Sequence, residues 1–317
     1  MKVRDEDTAL THPRVGASAS LRDRSQTTAV GLTPSFASQK VWIEQRGLLV
    51  WIAFFLGGLG GGLYLISLFL DFYIGLVTGF LIVGVGKGAT HLAYLGRPLR
   101  FWRAFFRPQS SWLSRGVLAM TIFLVFGALQ IAPSLGWFSW LPWTSDNLAI
   151  QIIVTIAGLV LITYTGFTLS VVKAIPFWNT ALLPIIFLVY SILGGASLAL
   201  VMLPLAPGTA NVESVEVVIR WLLIIAPVLL AVYLWGGYSS VPAARRSVFE
   251  LLKGSISLVF VGGVVVLGLA IPLAIVGYSF FVSLPYGVLV LAAVCEFIGG
   301  LLARYSILKA GIYSRVV

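Results

Sequence analysis

Four side chains able to hold or move a proton occur inside long apolar segments of this 317-residue chain. Lys87 and His91 are one helical turn apart and therefore share a helix face. Tyr164 and Glu296 place a phenol hydroxyl and a carboxyl group in two other apolar segments. Ionisable groups at such positions are costly to bury and commonly serve proton or ion chemistry. The set predicts proton transfer, with Tyr164 placed to donate a hydrogen bond to a carbonyl group.

Structural explanations compete with this interpretation for two of these residues. Lys87 lies near the end of its segment, where the amine can snorkel to the membrane surface. Glu296 lies near the middle of its segment, and Arg304 follows eight residues later near the same face. A proton relay and a structural ion pair with Arg304 are therefore the two alternatives for Glu296.

The cysteine and histidine counts exclude several redox centres from this chain. Cys295 is the single cysteine, whereas a disulfide needs two thiols and an iron–sulfur cluster needs four. The two histidines are His12, in a polar leader, and His91. A haem held by two histidines inside the membrane is therefore excluded, and no metal site is predicted. Any metal centre that handles electrons must belong to a partner protein.

Two patterns predict contact surfaces. The pairs Gly57/Gly61 and Gly58/Gly62 have the spacing that allows close helix packing or the approach of a flat ligand. Farther along, arginines alternate with aromatic residues and predict a cationic amphipathic helix in the membrane interface, either a lipid anchor or a docking surface for another subunit. The candidate docking residues are Arg97, Arg100, Arg103 and Arg107, with Trp178 and Asn179 in a turn bracketed by prolines.

These residues are carried by segments long enough to span a membrane. The chain is 59% hydrophobic and only 10% charged, and a spanning helix needs roughly 20 apolar residues. Eight such segments predict an all-α integral membrane protein, preceded by a polar, largely disordered tail over residues 1–45 that is available to a partner. The predicted spans are 48–70, 73–94, 115–133, 147–172, 180–204, 217–238, 255–279 and 284–306.

The basic residues are distributed unevenly about these spans. Nineteen lysines and arginines fall on the side of the two termini and the even-numbered loops, and Arg220 falls on the other side. Because cytoplasmic loops carry an excess of Lys and Arg, both termini are predicted to be cytoplasmic. The basic residues that give the formal charge of +10 are expected to face lipid headgroups and the cytoplasm, and nucleic acid is not a predicted partner.

Three separated motifs, in this order, resemble the NrfD/polysulfide-reductase membrane-subunit family. They read YLGRPLRFWRAFFRPQSSWLSRG, YTGFTLSVVKAIPFWN and EFIGGLLARYSILKAG. The resemblance covers a membrane domain over residues 46–313. It implies eight transmembrane helices in two four-helix bundles, in the cytoplasmic (inner) membrane of a prokaryote.

The resemblance also implies a substrate and partners. The protein would bind a menaquinone- or ubiquinone-type quinone, hold no haem or iron–sulfur cluster, and exchange electrons with a ferredoxin-like iron–sulfur subunit. That subunit would join a molybdopterin or multihaem catalytic subunit. Where family members commonly have His in an HLGRP sequence, this chain has Tyr94, with His91 as a substitute on the same helix face. The other residues expected near the quinone are Tyr164, Gly166, Gly58 and Gly61.

The sequence therefore predicts a quinone-binding membrane anchor subunit of an oxidoreductase complex, not catalytic alone, with proton movement coupled to electron exchange. Tyr164, His91, Lys87 and Glu296 are the candidates for the proton path. Two alternatives stay open. One is an ion- or solute-translocating membrane subunit without redox chemistry, suited to Glu296 and to a faint internal repeat. The other is a purely structural anchor.

Overall fold

Long apolar helices make up most of the protein. The computed structural model describes residues 37–138, 140–205 and 212–314. Within these residues, eight helices are long and apolar enough to cross a membrane, as the sequence predicts. They are α1 (Gly47–Phe69), α2 (Tyr73–Tyr94), α3 (Trp112–Ser134), α4 (Leu148–Ser170), α5 (Leu182–Leu205), α6 (Val212–Tyr238), α8 (Leu258–Tyr278) and α9 (Tyr286–Lys309). Helix α7 (Pro242–Leu252) is shorter and connects α6 to α8.

Local capping fixes several helix ends. Ser111 accepts a hydrogen bond from the Ser114 backbone N–H and begins α3, three residues before the predicted start. Asn147 caps α4 in the same way through the Ile150 N–H. Such caps satisfy N–H groups that the first turn of a helix leaves without partners. The segment Pro98–Phe106, between α2 and α3, is a 3-10 helix that begins with proline.

Helix α1 lies at the centre of the molecule. It packs against α2, α4 and α5, while α3 packs against α4, and α8 against α9. The contact between α1 and α5 is close because a Cβ atom on Gly62 would overlap the Ser191 carbonyl, and one on Gly195 would overlap the Gly62 backbone. Small residues thus bring the two helices together, as expected for helices packing in lipid. The grouping of the eight helices into two four-helix bundles stays a prediction.

The residues before α1 pack against the end of the protein. Strand β1 (Ala37–Ser38) pairs antiparallel with β2 (Ile312–Tyr313). Gln39 is buried, and its side-chain amide donates to the Leu308 carbonyl. Residues 37–45, which the sequence assigns to the polar tail, are therefore attached to the membrane domain. Residues 1–36 of that predicted tail lie outside the described residues.

Candidate functional site

A buried lysine and a buried tyrosine form the centre of the candidate site. Lys87 on α2 is 1% exposed and Tyr164 on α4 is 2% exposed. The Lys87 Nζ donates to the Tyr164 hydroxyl at 2.8 Å and to the Ala53 carbonyl of α1 at 3.4 Å. It also lies 4.8 Å from the centroid of the Tyr164 ring. Lys87 thus turns into the protein, and the snorkelling alternative is wrong.

Helix geometry and two glycines make room for this pair. Residues Ile82–Lys87 of α2 form a π-helical segment, a local widening that occurs frequently at functional sites. On α1, a Cβ atom at Gly57 would lie 2.8 Å from the Lys87 Nζ. On α3, a Cβ atom at Gly116 would overlap the Tyr164 ring. Helices α1 and α3 therefore approach the pair closely only because both positions are glycine.

His91 follows Lys87 by one turn of α2. Its ring centroid is 6.4 Å from that of Phe54 on α1. The Nδ1 atom is buried. No described group forms a hydrogen bond of good geometry with it, although the Lys87 carbonyl lies nearby. A buried polar nitrogen of this kind normally has a partner. His91 thus places an imidazole ring one turn of α2 beyond Lys87, with its Nδ1 buried and the Lys87 carbonyl as the polar group nearby.

An apolar groove of about 370 Å³ reaches His91 between α2, α3 and the 3-10 helix. Its polar side chains are His91, Arg100 and Thr121, and the remaining lining is apolar. Gly88, which immediately follows Lys87, also lines it. The groove therefore suits an elongated apolar molecule with one polar end. The remaining lining residues are Leu92, Leu95, Phe101, Ala104, Phe105, Leu113, Val117, Met120 and Leu124.

The glycines expected near the ligand contact protein atoms instead. A Cβ atom at Gly58 would lie 2.7 Å from the Arg304 Nη2, and one at Gly61 would lie 2.5 Å from the Ile162 Cγ2. A Cβ atom at Gly166 would overlap the backbone of Pro184. These three positions allow the close approach of neighbouring helices and side chains. Tyr94 is half-buried and packs against the main apolar core.

Glu296 belongs to a second polar cluster on another face of α1. It is 1% exposed, and no described donor meets hydrogen-bond geometry with either carboxylate oxygen, although Ser197 and Arg304 are its polar neighbours. Arg304, 3% exposed, donates to the Gly300 carbonyl at 3.2 Å and to the Ser191 hydroxyl at 3.0 Å. No ion pair within 4.0 Å joins Glu296 to Arg304 in the described part of the protein. The structure thus separates Glu296 from Lys87, His91 and Tyr164.

The candidate docking residues divide into exposed and buried groups. Arg97, Arg100, Arg103 and Arg107 are all exposed, as is Asn179. Trp178 is fully buried, and its indole N–H donates to the Ile307 carbonyl at 2.8 Å. Its ring also contacts Trp42 edge-on at 5.9 Å. The Trp178 side chain therefore holds the segment before α1 against α9 and presents no surface to a partner.

Sequence reasoning predicted Gly57 as a position of close approach, but it missed two other residues that shape the pair, Ala53 and Gly116. Ala53 supplies a carbonyl oxygen, and Gly57 and Gly116 supply space. Gly116 ends the first family motif and shares its apolar helix with Gly127, but nothing in this pattern indicates that it makes room for Tyr164. A second buried contact, from the Tyr64 hydroxyl to the Gln130 side-chain oxygen at 2.7 Å, was also missed. Tyr64 and Gln130 lie in apolar spans, and their polar groups are the sequence feature that could have indicated this contact.

Comparison with known proteins identifies relatives along most of the sequence. The family model described as Polysulphide reductase, NrfD matches residues 37–315. Protein NrfD of Escherichia coli is 28% identical over 260 residues, which cover 72% of this protein and 80% of that one. A polysulfide reductase chain of Wolinella succinogenes is 27% identical over 315 residues, covering 85% and 96%. A sulfite dehydrogenase subunit of Allochromatium vinosum is 33% identical over 155 residues, covering 44% and 46%.

Proposed function

This chain belongs to the Polysulphide reductase, NrfD family, and from that premise we propose that it is the quinone-binding membrane subunit of an oxidoreductase complex. Its role is to exchange electrons between membrane quinone and an iron–sulfur partner, with proton movement coupled to that exchange. The names of two relatives, one a part of a polysulfide reductase and the other of a sulfite dehydrogenase, support a place in a redox complex. The site geometry supports the choice of ligand.

The hydrogen bond from Lys87 to Tyr164 is the observation that carries the proposal. Because the Lys87 amine is the donor and the Tyr164 oxygen the acceptor, the phenol keeps its own proton for another acceptor. A quinone carbonyl is an acceptor of the required kind. The apolar groove matches the isoprenoid tail of such a molecule; its lining includes His91 and Gly88, which follow Lys87 on α2, but not Lys87 or Tyr164 themselves.

The protein residues divide the required tasks. Quinone supplies the redox chemistry, which takes up or releases two electrons and two protons. Tyr164 donates a hydrogen bond, and the Lys87 ammonium group, beside it, offsets negative charge. His91, which lines the groove, holds or releases a proton on its imidazole ring. The groove residues exclude water from the polar end of the ligand.

The surface near the site supports the expected partner. Arg97, Arg100, Arg103 and Arg107 lie exposed on the segment that covers the groove. An iron–sulfur subunit with an acidic surface would dock there and bring its cluster near the quinone. A molybdopterin or multihaem subunit would complete the complex. The excess of basic residues on this side supports a cytoplasmic position for it and for both termini, in a prokaryotic cell.

Replacement of Tyr164 by Phe tests this function. The variant loses the phenol proton donor, and because a hydrogen bond contributes about 0.5–1.5 kcal/mol net, quinone affinity should fall roughly tenfold or less. The measurement is quinone-linked turnover of the complex purified with its own partners, as a function of quinone concentration.

Tyr233→Phe is the matched control. Tyr233 is also buried, and its hydroxyl donates to the Phe177 carbonyl at 2.8 Å, away from Lys87. The control should keep the quinone concentration dependence of the unmodified complex. Unchanged kinetics in Tyr164→Phe would remove Tyr164 from the site.

A further inference from the structure

Glu296 is a buried acid that the quinone site does not use. Among the described residues it is the only carboxylate buried to this extent, at 1% exposed. The gap around it is lined by Phe55, Leu59, Tyr190, Gly194, Phe297, Gly300 and Arg304, and it leaves no room for a water molecule. Without water, the charge of the carboxylate must be offset by protein groups or removed by a proton.

The groups around Glu296 favour opposite protonation states. Burial favours the neutral acid, whereas the Arg304 guanidinium favours the carboxylate. Tyr190 on α5 faces the same gap with an unpartnered hydroxyl, and the Ser197 hydroxyl is also unpartnered. Helices α1 and α8, which complete the surroundings, carry no charged side chain. Burial and the Arg304 guanidinium thus act on Glu296 in opposite directions, and a change in local charge shifts the equilibrium between acid and carboxylate.

The proposed quinone site, where Lys87 lies, borders a different face of α1. The missing Cβ position of Gly57 is 2.8 Å from the Lys87 Nζ, and that of Gly58 is 2.7 Å from the Arg304 Nη2. Gly57 and Gly58 are consecutive residues, so the two cations approach α1 from directions about 100° apart. Helix α1, which has no side chain at Gly57 or Gly58, lies between the proposed quinone site and the Glu296 cluster. The separation is roughly 10 Å, given the dimensions of a helix.

We propose that Glu296 is a redox-linked proton-binding site coupled to the quinone site through the glycines of α1. Glu296 binds one proton from bulk water, converting its carboxylate to the acid, when reduction adds to the quinone site one more electron than the protons which that site takes up from water. It returns that proton to bulk water on reoxidation. Over about 10 Å in a protein interior, one unit of charge changes a protonation equilibrium by roughly tenfold. The inference rests on the proposed quinone function.

Redox-difference infrared spectroscopy tests the proposal on the complete complex in lipid nanodiscs, with quinone and partner subunits present. Reduction should produce a carboxylic-acid C=O band that shifts in D2O. Glu296→Gln should remove the band. The control Glu250→Gln, which alters a partly exposed ion pair with Arg246 on α7, should keep it. Glu296→Asp should move the band, and this variant serves if the Gln variant does not assemble.

The outcomes separate the proposal from the function on which it rests. If quinone bands respond to reduction but no carboxylic-acid band appears, or if the band survives in Glu296→Gln, Glu296 is a static structural residue and the quinone function stands. If the unmodified complex shows no quinone bands at all, both the function and the proposal are wrong.

Discussion

Lys87 is a cation surrounded by neutral oxygen atoms. Its hydrogen-bond partners are the Tyr164 hydroxyl and the Ala53 carbonyl, and no described acid forms an ion pair with it. Removing a charge from water without an ionic partner is costly. In the proposed function, a ligand that develops negative charge beside the ammonium group offsets this cost.

The sequence predicted these residues but not their geometry. Lys87, His91 and Tyr164 were predicted because ionisable groups are conspicuous in apolar segments. That Lys87 bonds to Tyr164, whereas Glu296 stands apart, depends on which faces of α1 meet α2 and α9. Such packing depends on glycines such as Gly57 and Gly116, whose role appears only when the helices are in place.

At the residue scale, the ion pair between Glu44 and Lys309 predicts a pH dependence. The Lys309 Nζ lies 2.9 Å from the Glu44 Oε1 and joins the segment before α1 to the end of α9. This hydrogen bond lowers the pKa of Glu44 below its ordinary value of 4.5. A carboxyl group with a lowered folded-state pKa stabilises the fold above its unfolded pKa, and loses that effect as the pH falls through the folded value.

Backbone hydrogen exchange of residues 37–46 should therefore be slow near pH 6 and lose additional protection below about pH 4, after correction for the intrinsic rate. Because both side chains are partly exposed, the effect should be small and weakened by salt. The variant Glu44→Gln should remove the pH-dependent part. Equal pH dependence in that variant and the unmodified protein would show that the pair does not hold this segment.

At the scale of elements, the glycines of α1 contact different neighbours on two faces, with Gly58 and Gly62 one turn apart on the same face. Gly57 faces Lys87, Gly58 faces Arg304, and Gly62 faces the backbone of α5. The sequence predicted all eight spans because a length of about 20 apolar residues is a strong signal. It did not predict the pairing of β1 with β2, since two-residue strands have no periodicity to detect. The interfacial segment was predicted as a helix, and proves to be the 3-10 helix Pro98–Phe106.

Gly62→Ala should separate α1 from α5. The added Cβ atom would overlap the Ser191 carbonyl, which is backbone and cannot rotate away. Overpacking of this kind typically costs about 1–3 kcal/mol. The thermal unfolding midpoint of the purified protein in detergent should therefore fall, while Gly236→Ala in α6, where a Cβ atom meets nothing within 4 Å, should leave it unchanged or raise it. An unchanged midpoint in Gly62→Ala would contradict the close α1–α5 contact.

At the scale of the whole molecule, an apolar outer surface separates two unlike ends. Large side chains such as Val228, Trp235 and Leu258 are 60%, 72% and 83% exposed along the spans, which is expected for a surface that contacts lipid. The candidate site, the exposed arginines and the paired strands β1 and β2 share one side. The opposite end carries Asp71, Asp146 and Glu216, with Arg220 beside Glu216.

The difference in charge between these two ends predicts the orientation of the protein in the membrane. A reporter fused after Val317 should be active in the cytoplasm, and a cysteine introduced in the tail should resist a membrane-impermeant reagent in intact cells. The native Cys295 is buried and should not react. A tail cysteine that reacts in intact cells would place the quinone site and the partner on the outer face of the membrane.

The most direct test of the central claim is the quinone content of the complex purified with its partners. Extraction and chromatography of the unmodified complex should recover bound quinone in an amount comparable to the protein. Lys87→Met, which removes the ammonium group and keeps an unbranched side chain, should assemble normally and retain severalfold less. Absence of quinone from the unmodified complex, or equal quinone in the two, would contradict a quinone site at Lys87 and Tyr164.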